Sequence, residues 1–231
     1  MKILIITPTR KEFEYLLQSW NVLGLIAKSS AIGRLPAAFF PAMGITLAQG
    51  GAGKVQFGVQ TQHLLDARGD WNLVVCAGPA GALVDEVGIG DLVVATATVE
   101  HDYSKRFNRR PIPSFESAQT AIADLRHCAP LATCFRVHFG VIASGDEDVI
   151  HPRRRKALQK FTGALAVAWE GAGGARACAF SKVPFVEVRG VTDSANHNAN
   201  LDHESNVEAA MKNLATLIAS CWTVREANIK G

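Results

Sequence analysis

Short runs of apolar, largely β-branched residues alternate along this chain with stretches whose apolar positions recur every three or four residues. Met1–Thr7 is apolar after Lys2 and reads as a strand buried on both faces. A helix is predicted from about Arg10 to Trp20, then a strand at Ala42–Gln49. Gly50-Gly51-Ala52-Gly53 marks a turn into a helix at Lys54–Ala67. Further strands are expected at Asn72–Ala77, Asp91–Val99, Arg136–Ser144, Ala164–Trp169 and Pro184–Thr192. Helices are expected at Ser117–His127, Arg153–Lys160, Gly171–Phe180 and Glu204–Glu226. This alternation predicts a single α/β domain over residues 1–231, three-layered (α/β/α), with a mixed, mostly parallel central sheet.

Composition narrows the class. Apolar residues make up 48% and charged residues 19% of the 231 positions, which is ordinary for a globular chain with a full core. The net charge of +3 is small. Its densest basic runs, Lys105–Arg110 and Arg153–Lys156, read as solvated faces, so no nucleic-acid partner is expected. No stretch reaches the about 18 apolar residues of a membrane span, so no membrane partner is expected either. The five cysteines lack C-x-x-C spacing and form an odd set, which predicts reduced thiols and a cytoplasmic location. The seven histidines are dispersed, without the i, i+4 spacing of a helical zinc pair, so neither a metal nor a cofactor is expected.

In α/β sheets ligands bind where loops leave the carboxyl ends of the strands. Just past the predicted strands lie Glu12, the loop Ala77-Gly78-Pro79-Ala80-Gly81, Ser144-Gly145-Asp146, Glu170, and Thr192-Asp193-Ser194. Three carboxylates and two small-residue loops would therefore converge at one edge of the sheet. Gly50-Gly51-Ala52-Gly53-Lys54 is too short for a phosphate-binding P-loop. Glu187 and Arg189 share one face of a predicted strand, with no function attached to them.

Taken in order, these segments resemble the nucleoside phosphorylase/nucleosidase superfamily, and most closely its methylthioadenosine/S-adenosylhomocysteine nucleosidase branch. The resemblance runs from Met1 to about Trp222. It rests on Glu12, Gly51-Ala52-Gly53-Lys54-Val55, Ala77–Gly81, Val87-Gly88-Ile89-Gly90-Asp91-Leu92-Val93-Val94, His101-Asp102, Ser144-Gly145-Asp146, Trp169-Glu170-Gly171, Val183–Val186 and Arg189–Asp193. It implies hydrolysis of the bond between a purine and its sugar, without a cofactor, by a homodimer serving methionine salvage. Asp193 would protonate the purine, as a leaving group that gathers electron density requires. Glu12 would activate water, and Glu170 would accept hydrogen bonds from the ribose hydroxyls. Trp169, Gly78, Val149, Asp148 and Thr192 would complete the substrate site.

The chain departs from the family pattern at three of these positions. Trp169 replaces a methionine under the sugar, Asp148 stands where an aromatic stacks on the base, and Pro79 replaces a serine. All three bear on the substrate and leave Glu12, Glu170 and Asp193 in place. A 5′-modified adenosine therefore ranks first and futalosine or aminodeoxyfutalosine second. Phosphorolysis, kept open by Arg10 and Lys11, and nucleoside binding without turnover are the remaining alternatives. The basic loop Asp102–Pro113 suggests contact between Arg109, Arg110 and an acidic 5′ group.

Overall fold

The computed structural model describes residues 1–104, 107, 110–129 and 134–223. Its elements are β1 (Ile3–Thr7), α1 (Arg10–Val22), β2 (Lys28–Ile32), β3 (Leu35–Phe40), β4 (Ile45–Gln49), α2 (Lys54–Ala67), β5 (Leu73–Ala82) and β6 (Leu92–Glu100). They continue with β7 (Ser114–Glu116), α3 (Gln119–Cys128), β8 (Val137–Ser144), α4 (Pro152–Thr162), β9 (Ala166–Ala168), α5 (Gly171–Ser181), β10 (Phe185–Asp193) and α6 (Ala199–Trp222).

The period of two in the central strands divides the core. Ile3 and Ile5 of β1 face the layer containing Leu16, Trp20, Met211, Leu214 and Ile218 of α1 and α6. Leu4 and Ile6 face the opposite layer, with Phe57, Leu64 and Leu65 of α2 and Cys178 of α5. Val75 and Val74 of β5 divide in the same way. Strands covered on both faces need apolar residues at every position, which is why these runs are continuous.

The sheet is mixed. Pairing is parallel through β4–β1–β5–β10 and through β6–β8–β9. It is antiparallel in β10–β6, β5–β9, β6–β7 and the β2–β3–β4 meander. Because β5 pairs with both β10 and β9, the strands β5, β10, β6, β8 and β9 close into a ring.

Several elements differ from the sequence-based expectation. β5 continues to Ala82 through Gly78-Pro79-Ala80-Gly81, a stretch expected to be loop, because β10 pairs with it as far as Gly81. Pro79, which has no N–H, falls between Cys76, the last β1 partner, and Gly81, the first β9 partner. The hairpin β2–β3 has no signal in the sequence, since Lys28–Ala31 is exposed and carries no apolar alternation. α6 begins at Ala199, not Glu204, and the expected extension to Glu226 runs past the described residues.

Candidate active site

Glu12 is placed by its own helix start. Thr9 caps α1, its Oγ1 accepting the Glu12 N–H at 3.3 Å while Glu12 Oε2 accepts the Thr9 N–H at 3.0 Å. The reciprocal cap turns the carboxylate inward, where it is 7% exposed. Burial, with added repulsion from Glu170, raises its pKa to about 7 against the pull of the Thr9 hydrogen bonds and Arg189. Its neighbours point elsewhere: Arg10 pairs with Glu14 at 2.7 Å on the exposed side, and Lys11 lies over the Tyr15 ring.

Glu170 sits at the N-cap of α5, directly after β9. Its Oε1 accepts the Gly53 N–H at 3.3 Å, and its Oε2 accepts Arg189 Nη1 at 3.1 Å. Gly53 takes φ +79° at the start of α2, a conformation glycine adopts without strain. The glycine-rich turn thus delivers a backbone donor to a carboxylate from another helix.

Arg189 is fully buried. Its Nε donates to Glu187 Oε1 at 2.7 Å, its Nη1 also approaches Pro79 O at 3.3 Å, and Thr98 Oγ1 donates to Glu187 Oε2 at 2.6 Å. One guanidinium is therefore shared by two carboxylates, with Glu12 close enough to feel its charge. Two glycines make room: a Cβ at Gly78 would lie 2.7 Å from Arg189 Nη1, and one at Gly171 only 2.0 Å from Glu187 Oε2.

Asp193, 8% exposed, ends β10. Its Oδ1 accepts the Ala195 N–H at 2.9 Å and its Oδ2 accepts Thr192 Oγ1 at 2.9 Å. The carboxylate is thus both a turn former and a wall residue of the cavity. Ala195, at φ +46°, is one of two non-glycine residues with positive φ among the described residues.

These groups border one cavity of about 500 Å³. Thr9 and Glu12, Pro79–Gly81, Asp148–Ile150, Trp169 and Glu170, and Thr192 and Asp193 all line it. Trp169 is 36% exposed and is tethered by Nε1 to Glu147 O at 3.1 Å. Val149 is buried, whereas Asp148 lies exposed at the rim. Gly78 stands behind the wall, against Arg189, and its three successors form the surface. Ala199, Asn200 and His203 of α6 add a side that the sequence reading missed, as it missed Thr9. The pattern Thr9-x-x-Glu12 is a legible capping box; nothing in the α6 sequence points toward the cavity.

Asp102 ties neighbouring elements together beside the cavity. Asp102 binds Lys54 Nζ at 2.5 Å and accepts the Asp146 N–H at 3.0 Å, joining the β6 end to α2 and the β8 loop. Of the basic loop, Lys105, Arg106, Asn108 and Arg109 lie outside the described residues, and Arg110 is exposed. Among the described residues no group of three His, Cys, Asp or Glu side chains is placed to hold a metal ion. No helix among them is long and apolar enough to cross a membrane.

A ringed α/β sheet with a carboxylate-lined cavity at the carboxyl ends of its strands defines a fold class, and its sequence pattern agrees: the chain belongs to the phosphorylase superfamily, whose profile matches residues 2–223. Within that class it is 30% identical over 192 residues to a 5′-methylthioadenosine/S-adenosylhomocysteine nucleosidase of Geobacillus thermodenitrificans, covering 80% of this chain and 81% of that one. A Helicobacter pylori nucleosidase of the same name, in complex with a pyrrolopyrimidine compound, superposes with a TM-score of 0.85 at 27% identity, covering 96% and 97% of the two chains. A structure described as futalosine hydrolase of Helicobacter pylori gives 0.84 at 27% identity, with the same coverage.

Proposed function

We propose that this protein is a nucleosidase that uses water to cleave the N-glycosidic bond of a purine nucleoside. The observation that carries the reading is one cavity holding a buried carboxyl poised near neutrality, Glu12, and a second carboxyl, Asp193, on a separate strand end. Glu12 takes a proton from the attacking water, Asp193 protonates the departing base, and Glu170 accepts the ribose hydroxyls. Trp169 and Val149 bound the sugar and base, with Thr192 holding Asp193 and Asp148 at the open rim. Gly78 contributes indirectly, by leaving space for Arg189.

Water is favoured over phosphate by charge. A phosphate dianion needs unengaged, charge-assisted donors. Here Arg189 is committed to Glu187 and Glu170, with Glu12 beside it, and Arg10 and Lys11 lie on the outer face of α1.

The substrate class proposed first is a 5′-modified adenosine, such as methylthioadenosine or S-adenosylhomocysteine, in keeping with the names of the relatives; this would serve methionine salvage. Futalosine or aminodeoxyfutalosine stands second, because Trp169, Asp148 and Pro79 reshape the same cavity. The expected state is a homodimer in the cytoplasm, acting on a small molecule without a cofactor and without nucleic-acid or membrane partners.

Base release is the deciding assay, using purified protein with methylthioadenosine, adenosylhomocysteine, adenosine, inosine and futalosine, each with and without phosphate. Release without phosphate is expected, and the preferred nucleoside fixes the substrate. Release only with phosphate overturns the role given to Glu12. Binding without release of any base would favour a nucleoside-binding protein. Asp193→Asn is expected to keep ligand while losing turnover by a factor of about 10²–10⁴.

A further inference from the structure

The inner face of α6 is apolar over most of its length, with Val207, Ala210, Met211, Leu214 and Ile218 packed into the core. Its first turns are different. His203 Nδ1 lies 3.2 Å from Thr192 Oγ1, and Asn206 Nδ2 donates to Thr192 O at 3.2 Å. Residues three apart on a helix share a face, so both side chains grip the residue immediately before Asp193. Packing alone does not call for two polar side chains here.

The hydrogen-bond directions follow from counting protons. The Thr192 hydroxyl has one proton. Its acceptors are Asp193 Oδ2 at 2.9 Å, His203 Nδ1 at 3.2 Å and Ala80 O at 3.4 Å, and once Asp193 has given up its proton the nearest of them, the charged oxygen, wins. With that proton given to Asp193, the contact with His203 requires Nδ1 to carry a hydrogen and donate it. The result is a continuous chain from imidazole to hydroxyl to carboxylate, and its imidazole end borders the cavity.

Resting on the nucleosidase reading above, we propose that His203 reloads Asp193 with a proton after each turnover, through the Thr192 hydroxyl. Once Asp193 has given its proton to the base, it is left as a carboxylate. The Thr192 proton moves to Asp193 Oδ2, the His203 Nδ1 proton moves to Thr192 Oγ1, and Nε2 takes a proton from solvent. The imidazole ends neutral as its Nε2–H tautomer, Asp193 gains one proton, and exchange of the ring protons with solvent returns the hydrogen to Nδ1 before the next relay. Glu12 returns to solvent the proton it took from water, so the cycle balances. His203 touches neither base nor sugar in this scheme and is a positioning and proton-delivering residue.

The test compares the first turnover with those that follow. With His203→Phe, which keeps a ring but no nitrogen, base release is followed under single-turnover conditions and in the steady state. Ligand binding is followed by the change in tryptophan fluorescence, to which Trp169 in the cavity wall contributes. The expected result is a steady-state rate slowed about tenfold to hundredfold more than the single-turnover rate. In His203→Ala, added imidazole is expected to restore much of the steady-state rate. Equal slowing of both phases, unchanged steady-state turnover, or a loss that imidazole does not restore would each overturn the relay while leaving the nucleosidase reading intact. A wild-type protein that releases no base overturns that reading, and the relay with it.

Discussion

Glu12 joins stability to chemistry in one side chain. A carboxyl whose folded pKa of about 7 lies above its unfolded value of 4.5 holds its proton more tightly when folded. The associated stabilisation is whole below pH 4.5 and is lost as pH rises through about 7. At about 1.4 kcal/mol per unit, the difference amounts to roughly 3 kcal/mol. Glu12→Gln keeps the reciprocal cap with Thr9 but cannot ionise. Thermal melts are expected to show the variant holding its Tm between pH 5 and 8 while the wild type falls, the gap reaching several degrees by pH 8. Base release by the variant should drop by about 10²–10⁴. In the wild type, kcat/KM should climb with pH through about 7, as the water-activating form becomes populated. A flat acidic limb would remove Glu12 from that role.

Among the elements, the contact between α2 and α5 sets the position of two site groups, since Gly53 is the N-cap of α2 and Glu170 that of α5. The helices meet through glycines: a Cβ on Gly173 would lie 2.1 Å from Lys54 O, and one on Gly58 would lie 3.1 Å from Gly173 O. Gly173→Ala is expected to push the helices apart at a cost of about 1–3 kcal/mol. The Gly53–Glu170 hydrogen bond should lengthen with them, so KM should rise more than kcat falls. An unchanged Tm would show that α5 can shift freely. Continuous runs such as Met1–Thr7 announce doubly covered strands, and the glycine-rich turn ending at Gly53 marks the start of the helix Lys54–Ala67. Lys28–Ala31 gave no signal because an exposed edge strand needs no apolar alternation. β5 could not be followed past Ala77, because its last residues are strand only by virtue of β10 and β9, which lie about a hundred residues away in sequence. Within the site, Glu12, Glu170 and Asp193 stood out as carboxylates after strands. The Glu187–Arg189 pair was visible as a same-face pair, but its purpose depended on Glu170 arriving from another element. His203 belongs to a helix start whose orientation only the tertiary structure supplies.

For the whole molecule, one face is left unexplained by a single chain. Val55 and Val59, one turn apart on α2, are 76% and 66% exposed beside a groove of about 520 Å³ between α2 and α5. Exposed apolar neighbours of this kind mark association surfaces. If the expected homodimer uses this face, Val55→Glu combined with Val59→Glu should convert a dimer to a monomer in light scattering. A wild-type monomer at micromolar concentration, or a dimer that survives both changes, would exclude this face as the seam.

The closed ring of strands has a consequence in time as well as in space. β5 is held by β1 over Leu73–Cys76, by β9 at Gly81 and Ala82, and by β10 from Val74 to Gly81, so every residue of it has at least one strand partner. In hydrogen–deuterium exchange its amides should be among the slowest in the protein, opening only in global unfolding. Pro79–Gly81, the back wall of the cavity, belongs to that last-opening unit, whereas Asp148 and Ile150 sit exposed at the mouth. A nucleoside would thus meet an anvil behind it and a yielding lip in front. Bound ligand should slow exchange at the lip by many-fold and leave the β5 amides to report only the stability of the whole.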